Sequence, residues 1–148
     1  THSFPTRRSS DLIDPEEPRF LEDLVSGLVL SGIAMGIAGS SRPASGAEHE
    51  FSHALDQLMD EPGIHGHQVA LGCLLVCQMR NKDFERVQRF LRQTGAPITA
   101  DQLGIPADKI IEALVLAPHV RPERYTIFNE YQPDRTQAER IARQAGVI

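Results

Sequence analysis

Apolar residues in this chain recur every three or four positions, and no long stretch alternates with period two. The first spacing places side chains on one face of an α-helix, whereas alternation is typical of a half-buried strand. Only Tyr125 to Phe128 could form a brief extended piece. Six segments carry the helical pattern, and they begin near Pro18, Ala47, His65, Asp83, Pro106 and Asp134. The sequence therefore predicts an all-α helical bundle of about six or seven helices.

The longest apolar stretch runs from Leu24 to Ala38 and is apolar all round at its far end. Such a pattern predicts a helix that is buried there. Serine and glycine interrupt the stretch, and it is short for a helix that crosses a bilayer. We therefore expect a buried helix and no membrane span.

The formal charge of −5 over 148 residues argues against a surface that binds nucleic acid or anionic lipid. A partner rich in phosphate needs an excess of Lys and Arg, which this chain lacks. Cys73 and Cys77 lie four residues apart in an apolar run, which suits buried thiols better than metal ligands or a disulfide. We therefore expect no nucleic-acid partner and a reducing, cytoplasmic compartment.

The first residues differ in character from the rest. Residues Ser3 to Leu12 read SFPTRRSSDL, which a common sequencing-library adapter would encode if read in frame. A disordered basic tail is the alternative. We expect residues 1–12 to be an artefact translated from the sequencing adapter. Residues 13–19 are then a linker, and 20–148 are one helical domain whose native chain continues upstream.

Four of the six histidines lie in two short segments, Ser45 to His53 and Ile64 to Gln68. Zn²⁺ and similar ions prefer neutral imidazoles held rigidly at about 2 Å, and helices supply that rigidity. Two sets of ligands are possible. In the first, His49 and His53 bind the ion with Glu50 as general base, which satisfies the H-E-x-x-H pattern of zinc proteases.

In the second set, His49 binds the ion together with His65, at the start of the following helix. The turn at Pro62 and Gly63 would bring these two rings together. HEFSH lacks the further Gly and His of the metzincin motif. For each histidine, a place on a polar face or at the edge of the core is the third reading.

Three stretches of the chain resemble glycerol-1-phosphate dehydrogenases. They are GIAMGIAGSSRPASGAEHEFSHALD at Gly32 to Asp56, IHGHQVALG at Ile64 to Gly72, and RPERYTI at Arg121 to Ile127. The likeness extends from about Phe20 to about Asn129. That family is part of the iron-containing alcohol dehydrogenase superfamily, which is related to dehydroquinate synthases. The resemblance implies the all-α, C-terminal metal-binding domain of this fold.

The resemblance also implies roles for individual residues. In the superfamily, the metal is bound by a carboxylate, by the first residue of an H-x-x-x-H pair and by the histidine of an HG motif. These histidines correspond to His49 and His65, and His53 corresponds to a catalytic, non-ligating partner near the substrate. The acidic ligand lies upstream in the family and has no counterpart here. Family members commonly have an acidic residue after HG, where this chain has His67.

The loop GSSRPASG lies just before the histidine segment. The hydroxyls of Ser41 and Ser45 and the guanidinium of Arg42 suit an anionic substrate beside a helix N-terminus. A plain structural loop is the alternative, since short Gly- and Ser-rich segments commonly have no other role. We expect these three residues to contact the substrate.

The activity that the resemblance implies is reversible hydride transfer between NAD or NADP and the central carbon of dihydroxyacetone phosphate or sn-glycerol 1-phosphate. Zn²⁺ or another divalent metal would polarise the reacting oxygen. The substrate would be a small phosphorylated polyol, and the full-length protein could form a homo-oligomer. No glycine-rich nucleotide fingerprint occurs in this sequence, so we expect the missing upstream domain to bind most of the NAD(P).

Two rival functions follow from the residues alone. One is a zinc hydrolase that uses the HEFSH motif, and the other is a non-catalytic helical interaction domain. The histidine at position 65 separates the dehydrogenase reading from the hydrolase, because only the former needs it. We also expect this chain by itself to be inactive, since the nicotinamide would lack its binding domain.

Overall fold

A computed structural model of the chain describes residues 15–148. The predicted artefact at 1–12 and the first two residues of the predicted linker lie outside this range. Within it the chain forms seven α-helices and no strand, which confirms the predicted all-α class. The helices are α1 Pro18–Ala38, α2 Ala47–Leu58, α3 His65–Arg80, α4 Phe84–Gln93, α5 Ala107–Val120, α6 Ile127–Glu130 and α7 Arg135–Gln144. Each of the six predicted helices begins within one residue of its predicted start.

The short helix α6 replaces the extended piece that was predicted at Tyr125 to Phe128, and that prediction was wrong. The Thr126 side chain accepts a hydrogen bond from the Phe128 amide, and the Asn129 side chain accepts one from the Thr126 amide. This capping box satisfies two backbone donors that a helix start otherwise leaves unpaired. The capping box therefore stabilises a single helical turn. A segment of four residues is too short for its apolar spacing to reveal a helix.

The core lies between α2, α3, α5 and α7. α2 packs against both α3 and α5, and α5 also packs against α7. The large side chains that are almost fully buried there are Phe51, Leu55, Leu71, Leu74, Leu75, Ile110, Leu114 and Phe128. α2 therefore holds its apolar face in the core, and the histidines on its other side are half-buried.

The backbones of α2 and α3 approach each other closely at Gly72. A Cβ atom built on this glycine would lie 2.7 Å from the carbonyl oxygen of Glu48 and 3.0 Å from the Glu48 Cα. Both neighbours are backbone atoms, so they cannot move aside as a flexible side chain could. The glycine thus sets the spacing between the first turn of α2 and the middle of α3.

Gly72→Ala should destabilise the chain by about 1–3 kcal/mol, because the methyl group would push α3 away from α2. Gly66 is a matched control in the same helix, since a Cβ there meets nothing within 4 Å. Gly66→Ala should stabilise the chain by up to about 1 kcal/mol through its better helix propensity. Urea denaturation of both variants tests this prediction, and equal stabilities would contradict the close packing.

Helix α1 departs from the sequence-based expectation, because none of its residues is buried. Its large aliphatic side chains face solvent, and Ile37 is 85% exposed. Among residues 15–148, its main contact is the 3-10 turn Arg42–Ala44. The predicted burial was wrong for the described chain. An apolar pattern indicates that exposing the helix to water is unfavourable in free energy. It does not indicate which segment packs against the helix.

By length and composition alone, α1 could also cross a membrane. Core helices of soluble proteins and leader sequences meet the same criteria, so this property does not assign α1 to a bilayer. The helix begins at Pro18, a favourable residue at the first helical position, and ends at Gly39 in the left-handed conformation. The predicted linker was too long at its end: Pro15 to Glu17 form a turn that leads into α1, and Pro18 and Arg19 are the first two residues of the helix.

Candidate metal and substrate site

Three histidines meet at one end of the α2 and α3 pair. His49 and His53 lie one turn apart on α2, and His65 is the first residue of α3. The ring centre of His65 is 5.3 Å from that of His49 and 5.8 Å from that of His53. The turn before α3 thus brings together the residues that the second ligand arrangement requires.

The ring of His49 is oriented by the residue before it in sequence. Its Nδ1 lies 2.9 Å from Oε1 of Glu48, and that same oxygen accepts a hydrogen bond of 2.8 Å from the amide of Gly46. A carboxylate has only lone pairs to offer, so Nδ1 of His49 donates, and in the neutral form of the ring Nε2 carries only a lone pair. A carboxylate behind an imidazole is the common second-sphere arrangement of histidine metal ligands.

The separation of His49 and His65 is compatible with a shared cation. Two imidazole nitrogens about 2 Å from a tetrahedral ion place their ring centres about 5 Å apart. The measured 5.3 Å agrees with this value. Within residues 15–148, however, no group of three or more His, Cys, Asp or Glu side chains is arranged to hold an ion. The described chain therefore offers part of a coordination shell, and the ligand roles of His49 and His65 stay predictions.

The two cysteines are free thiols on α3. Burial raises the pKa of the Cys73 thiol to about 12, and it raises the pKa of Cys77 as well. A thiol must ionise to bind a metal, and these two are held in the neutral form. This agrees with the prediction that they are not metal ligands, although both residues are half-buried and not fully buried as predicted.

Glu50 is buried, which does not fit the general-base role that the zinc-hydrolase hypothesis gives it. The residue is 3% exposed, and the hydroxyl of Thr126 donates a 2.7 Å hydrogen bond to its Oε2. A general base in a zinc hydrolase must reach a water bound to the ion. The carboxylate is instead occupied in the contact between α2 and the start of α6. The geometry favours the arrangement that pairs His49 with His65.

The pKa of Glu50 is raised, and desolvation by burial is the main cause. The folded state therefore favours the protonated acid, and the resulting stabilisation is present below the unfolded pKa and is lost as pH rises through the folded pKa. Glu50→Gln should weaken the fall in stability between pH 4.5 and pH 7. Urea midpoints across this range, with the exposed Glu61→Gln as control, test the sign. A pH profile that Glu50→Gln leaves unchanged would contradict it.

Arg124 connects two of the predicted substrate-binding residues. Its Nη1 donates to the hydroxyl of Ser45 at 3.2 Å, and its Nη2 donates to the hydroxyl of Ser41 at 3.0 Å. Arg42 lies on the same loop and donates to the carbonyl of Tyr125 at 3.5 Å. The structure thus gathers all three predicted residues beside the segment that carries Arg124.

A second arginine of this segment faces His53. Nη2 of Arg121 lies 3.4 Å from Nε2 of His53, and Asp56 lies 3.6 Å from Nδ1 of the same ring. Desolvation and the charge of Arg121 lower the pKa of His53. The imidazole is therefore neutral at pH 7, with a lone pair on the nitrogen that faces Arg121.

Sequence reasoning did not assign a role to Arg121 or Arg124. The available signal was the motif RPERYTI, where two arginines lie three residues apart. In the part of the chain that the structure describes, neither these two nor Arg42 has a carboxylate within ion-pair distance. Three guanidinium groups whose hydrogen-bond partners are neutral form a surface that suits an anion.

No family model matches the chain. Individual curated proteins do match it over nearly its whole length. It is 46% identical over 141 residues to a protein of Thermococcus kodakarensis and 49% identical over 141 residues to one of Methanococcoides burtonii, in each case over 95% of this chain. A protein of Hyperthermus butylicus is 49% identical over 84% of the chain. All three are named glycerol-1-phosphate dehydrogenase [NAD(P)+].

The matched region is only a part of each relative. The chain spans 40% of the Thermococcus protein, 39% of the Methanococcoides protein and 36% of the Hyperthermus protein. Identity at this level over 141 aligned residues is far beyond what a shared helical composition would produce. The chain is therefore related by common descent to part of proteins that are named glycerol-1-phosphate dehydrogenase [NAD(P)+].

Proposed function

We propose that this chain is the metal- and substrate-binding part of an NAD(P)-dependent sn-glycerol-1-phosphate dehydrogenase. The full-length enzyme would interconvert dihydroxyacetone phosphate and sn-glycerol 1-phosphate by hydride transfer. The observation that carries the proposal is the 5.3 Å approach of His49 and His65 in a chain related to proteins of that name. The relatives' remaining 60% or so of sequence would supply the nicotinamide site.

His49 and His65 would hold a divalent ion such as Zn²⁺, with a carboxylate from outside residues 15–148 as a further ligand. When bound, this ion would polarise the oxygen on the central carbon of the substrate and stabilise the charge that develops as hydride moves. The chain's own contribution is orientation. Glu48 holds Nδ1 of His49, which would leave Nε2 of that ring for the ion, and the close contact at Gly72 would set the distance between the two helices that carry the rings.

Arg124 and Arg121 would bind the phosphate end of the substrate together with Ser41, Arg42 and Ser45. Guanidinium groups bind phosphate with two parallel hydrogen bonds, and the serine hydroxyls supply further donors. Arg121 also lies against His53, so one end of this surface adjoins the histidine cluster. His53, neutral at pH 7, would exchange a hydrogen bond with a substrate hydroxyl and so act as the catalytic, non-ligating histidine.

A chimera tests the proposal directly. The part of the Thermococcus kodakarensis relative that matches this chain would be replaced by residues 13–148, and oxidation of NADH and NADPH would be followed with dihydroxyacetone phosphate. We expect kcat/KM within about tenfold of the intact relative. A folded, Zn²⁺-loaded chimera without this activity would overturn the proposal. The chain alone should show no turnover.

Arg124→Ala in the chimera should raise the KM for dihydroxyacetone phosphate roughly 10- to 100-fold, as expected for loss of about 1.5–3 kcal/mol from a hydrogen bond to a charged group. Arg143→Ala is the matched control, because Arg143 is exposed on α7 and pairs with Glu139. Initial-rate kinetics measure both variants. A KM that changes equally in the two would remove Arg124 from the phosphate site.

A further inference from the structure

We infer that a buried Ser52–Gln68 relay places the proton of the neutral His65 ring on Nδ1 and leaves Nε2 bare to bind a cation. The position of the proton follows from the hydrogen bonds alone. Its use in metal binding rests on the proposed function. The relay runs from the backbone of the turn before α3, through the two buried side chains, to the ring at the start of that helix.

The first step is the orientation of the Gln68 amide. Its Nε2 donates to the carbonyl of Pro62 at 3.0 Å and lies 3.4 Å from the carbonyl of Gly63. Carbonyl oxygens only accept hydrogen bonds, so the NH₂ end of the amide must face them. The opposite orientation would set Oε1 against two acceptors. Oε1 of Gln68 therefore faces Ser52.

The second step concerns the single proton of the Ser52 hydroxyl. Oγ of Ser52 is in hydrogen-bond contact with Oε1 of Gln68, which has lone pairs and no proton, so the hydroxyl must donate to it. The same Oγ lies 2.8 Å from Nδ1 of His65. With its proton already used, Ser52 can only accept there. Nδ1 of His65 must donate, and the neutral ring then has no proton on Nε2.

Burial prevents water from replacing the bonds of the two relay side chains, Ser52 and Gln68, although His65 itself is exposed. Ser52 is 0% exposed and Gln68 is 1% exposed, so neither side chain can exchange its partner for solvent. In the described residues, no buried side-chain nitrogen or oxygen lacks a hydrogen-bond partner. If the Ser52 proton turned toward His65, two buried acceptor oxygens would be left facing each other. That arrangement carries the penalty of unpaired buried polar groups.

The consequence for the site is that two rings present the same nitrogen. Glu48 accepts from Nδ1 of His49, and Ser52 accepts from Nδ1 of His65. Both Nε2 atoms are then bare, as an imidazole ligand requires. Ser52 and Gln68 act here as positioning residues, because they touch neither the ion nor the substrate.

Nitrogen-15 NMR of the histidine rings tests the inference in the metal-free chain. At about pH 8.5, where an ordinary imidazole is neutral, His65 of the unmodified protein should give the Nδ1–H pattern. Ser52→Ala should shift it toward Nε2–H, the form that free imidazole side chains prefer. Ser52→Thr, which keeps the hydroxyl, should restore Nδ1–H, and Ser26→Ala on the exposed α1 should change nothing. An Nε2–H ring in the unmodified protein would overturn the inference without any variant.

Competition with a Zn²⁺ chelator supplies the second measurement. In the chimera, Ser52→Ala should weaken Zn²⁺ binding roughly 10- to 100-fold, the usual effect of losing a residue that orients a ligand. If the NMR result is as expected but Zn²⁺ affinity does not change, the relay stands and the metal role of His65 in the proposed function fails. If the unmodified ring carries its proton on Nε2, the relay fails whatever the chimera catalyses.

Discussion

Phe51→Ala should destabilise the chain by about 3–5 kcal/mol, the cost of removing a large aromatic side chain from a closed core. Phe51 is 0% exposed and belongs to the core between α2, α3 and α5. The loss would be a large part of the 5–15 kcal/mol typical of a folded domain. Urea denaturation followed by far-ultraviolet circular dichroism should show the midpoint falling steeply.

Phe90→Ala removes the same atoms from a different environment. Phe90 is 37% exposed on α4, so its truncation leaves a smaller cavity and should cost about 1 kcal/mol. The comparison isolates burial from the chemistry of the side chain. If both variants lost the same stability, the assignment of the inner face of α2 to the core would be wrong. The orientation assigned to the histidine side of the same helix would then lose its support.

His65→Ala should weaken Zn²⁺ binding by the chimera more than roughly 100-fold, because loss of a ligand exceeds the 10- to 100-fold effect of losing a residue that only orients one. Turnover of dihydroxyacetone phosphate should fall with the bound metal. Chelator competition and metal analysis measure the first effect. Initial rates at saturating Zn²⁺ measure the second.

His67→Ala is the matched control, two residues further along α3, because His67 has no ring contact with the cluster of His49, His53 and His65. Its Zn²⁺ affinity should remain that of the unmodified protein. The pair of variants also decides between the two enzyme classes. A site of the HEFSH type would bind through His49 and His53 and would be indifferent to His65→Ala, so unchanged affinity in that variant would favour the hydrolase.

The positions of the helices could be predicted because their signals are local. Pro18 favours a helix start through its own fixed φ, and the Asp134 side chain accepts a hydrogen bond from the amide of Gln137, three residues further on. The short helix α6 was missed because its local signal is weak. Its signal is one capping box, formed by Thr126 and Asn129, and a four-residue helix has no room for periodicity.

The candidate site was only partly predictable. The HEFSH and IHGHQ segments indicated which histidines to consider, and the turn between them indicated that His49 and His65 could meet. Nothing in the spacing indicated that Arg124 would reach Ser41 and Ser45, which are separated from it by 83 and 79 residues. Glu50 was read as a base because of its motif, yet its contact with Thr126 comes from 76 residues away.

Taken alone, the amino-acid sequence determined the helical class, the helix starts and the resemblance to a known family, since each depends on residue types at short spacings. Only the tertiary structure decided which side chains share an environment. In it Glu50 is buried against Thr126, Arg121 contacts His53, and Arg124 contacts the serine loop. Within residues 15–148, no residue of α1 is buried. The physical reason is that burial and hydrogen-bond partners depend on which distant surfaces pack together. A periodic apolar pattern shows that a helix has a face to bury, but it does not identify the segment that packs against that face.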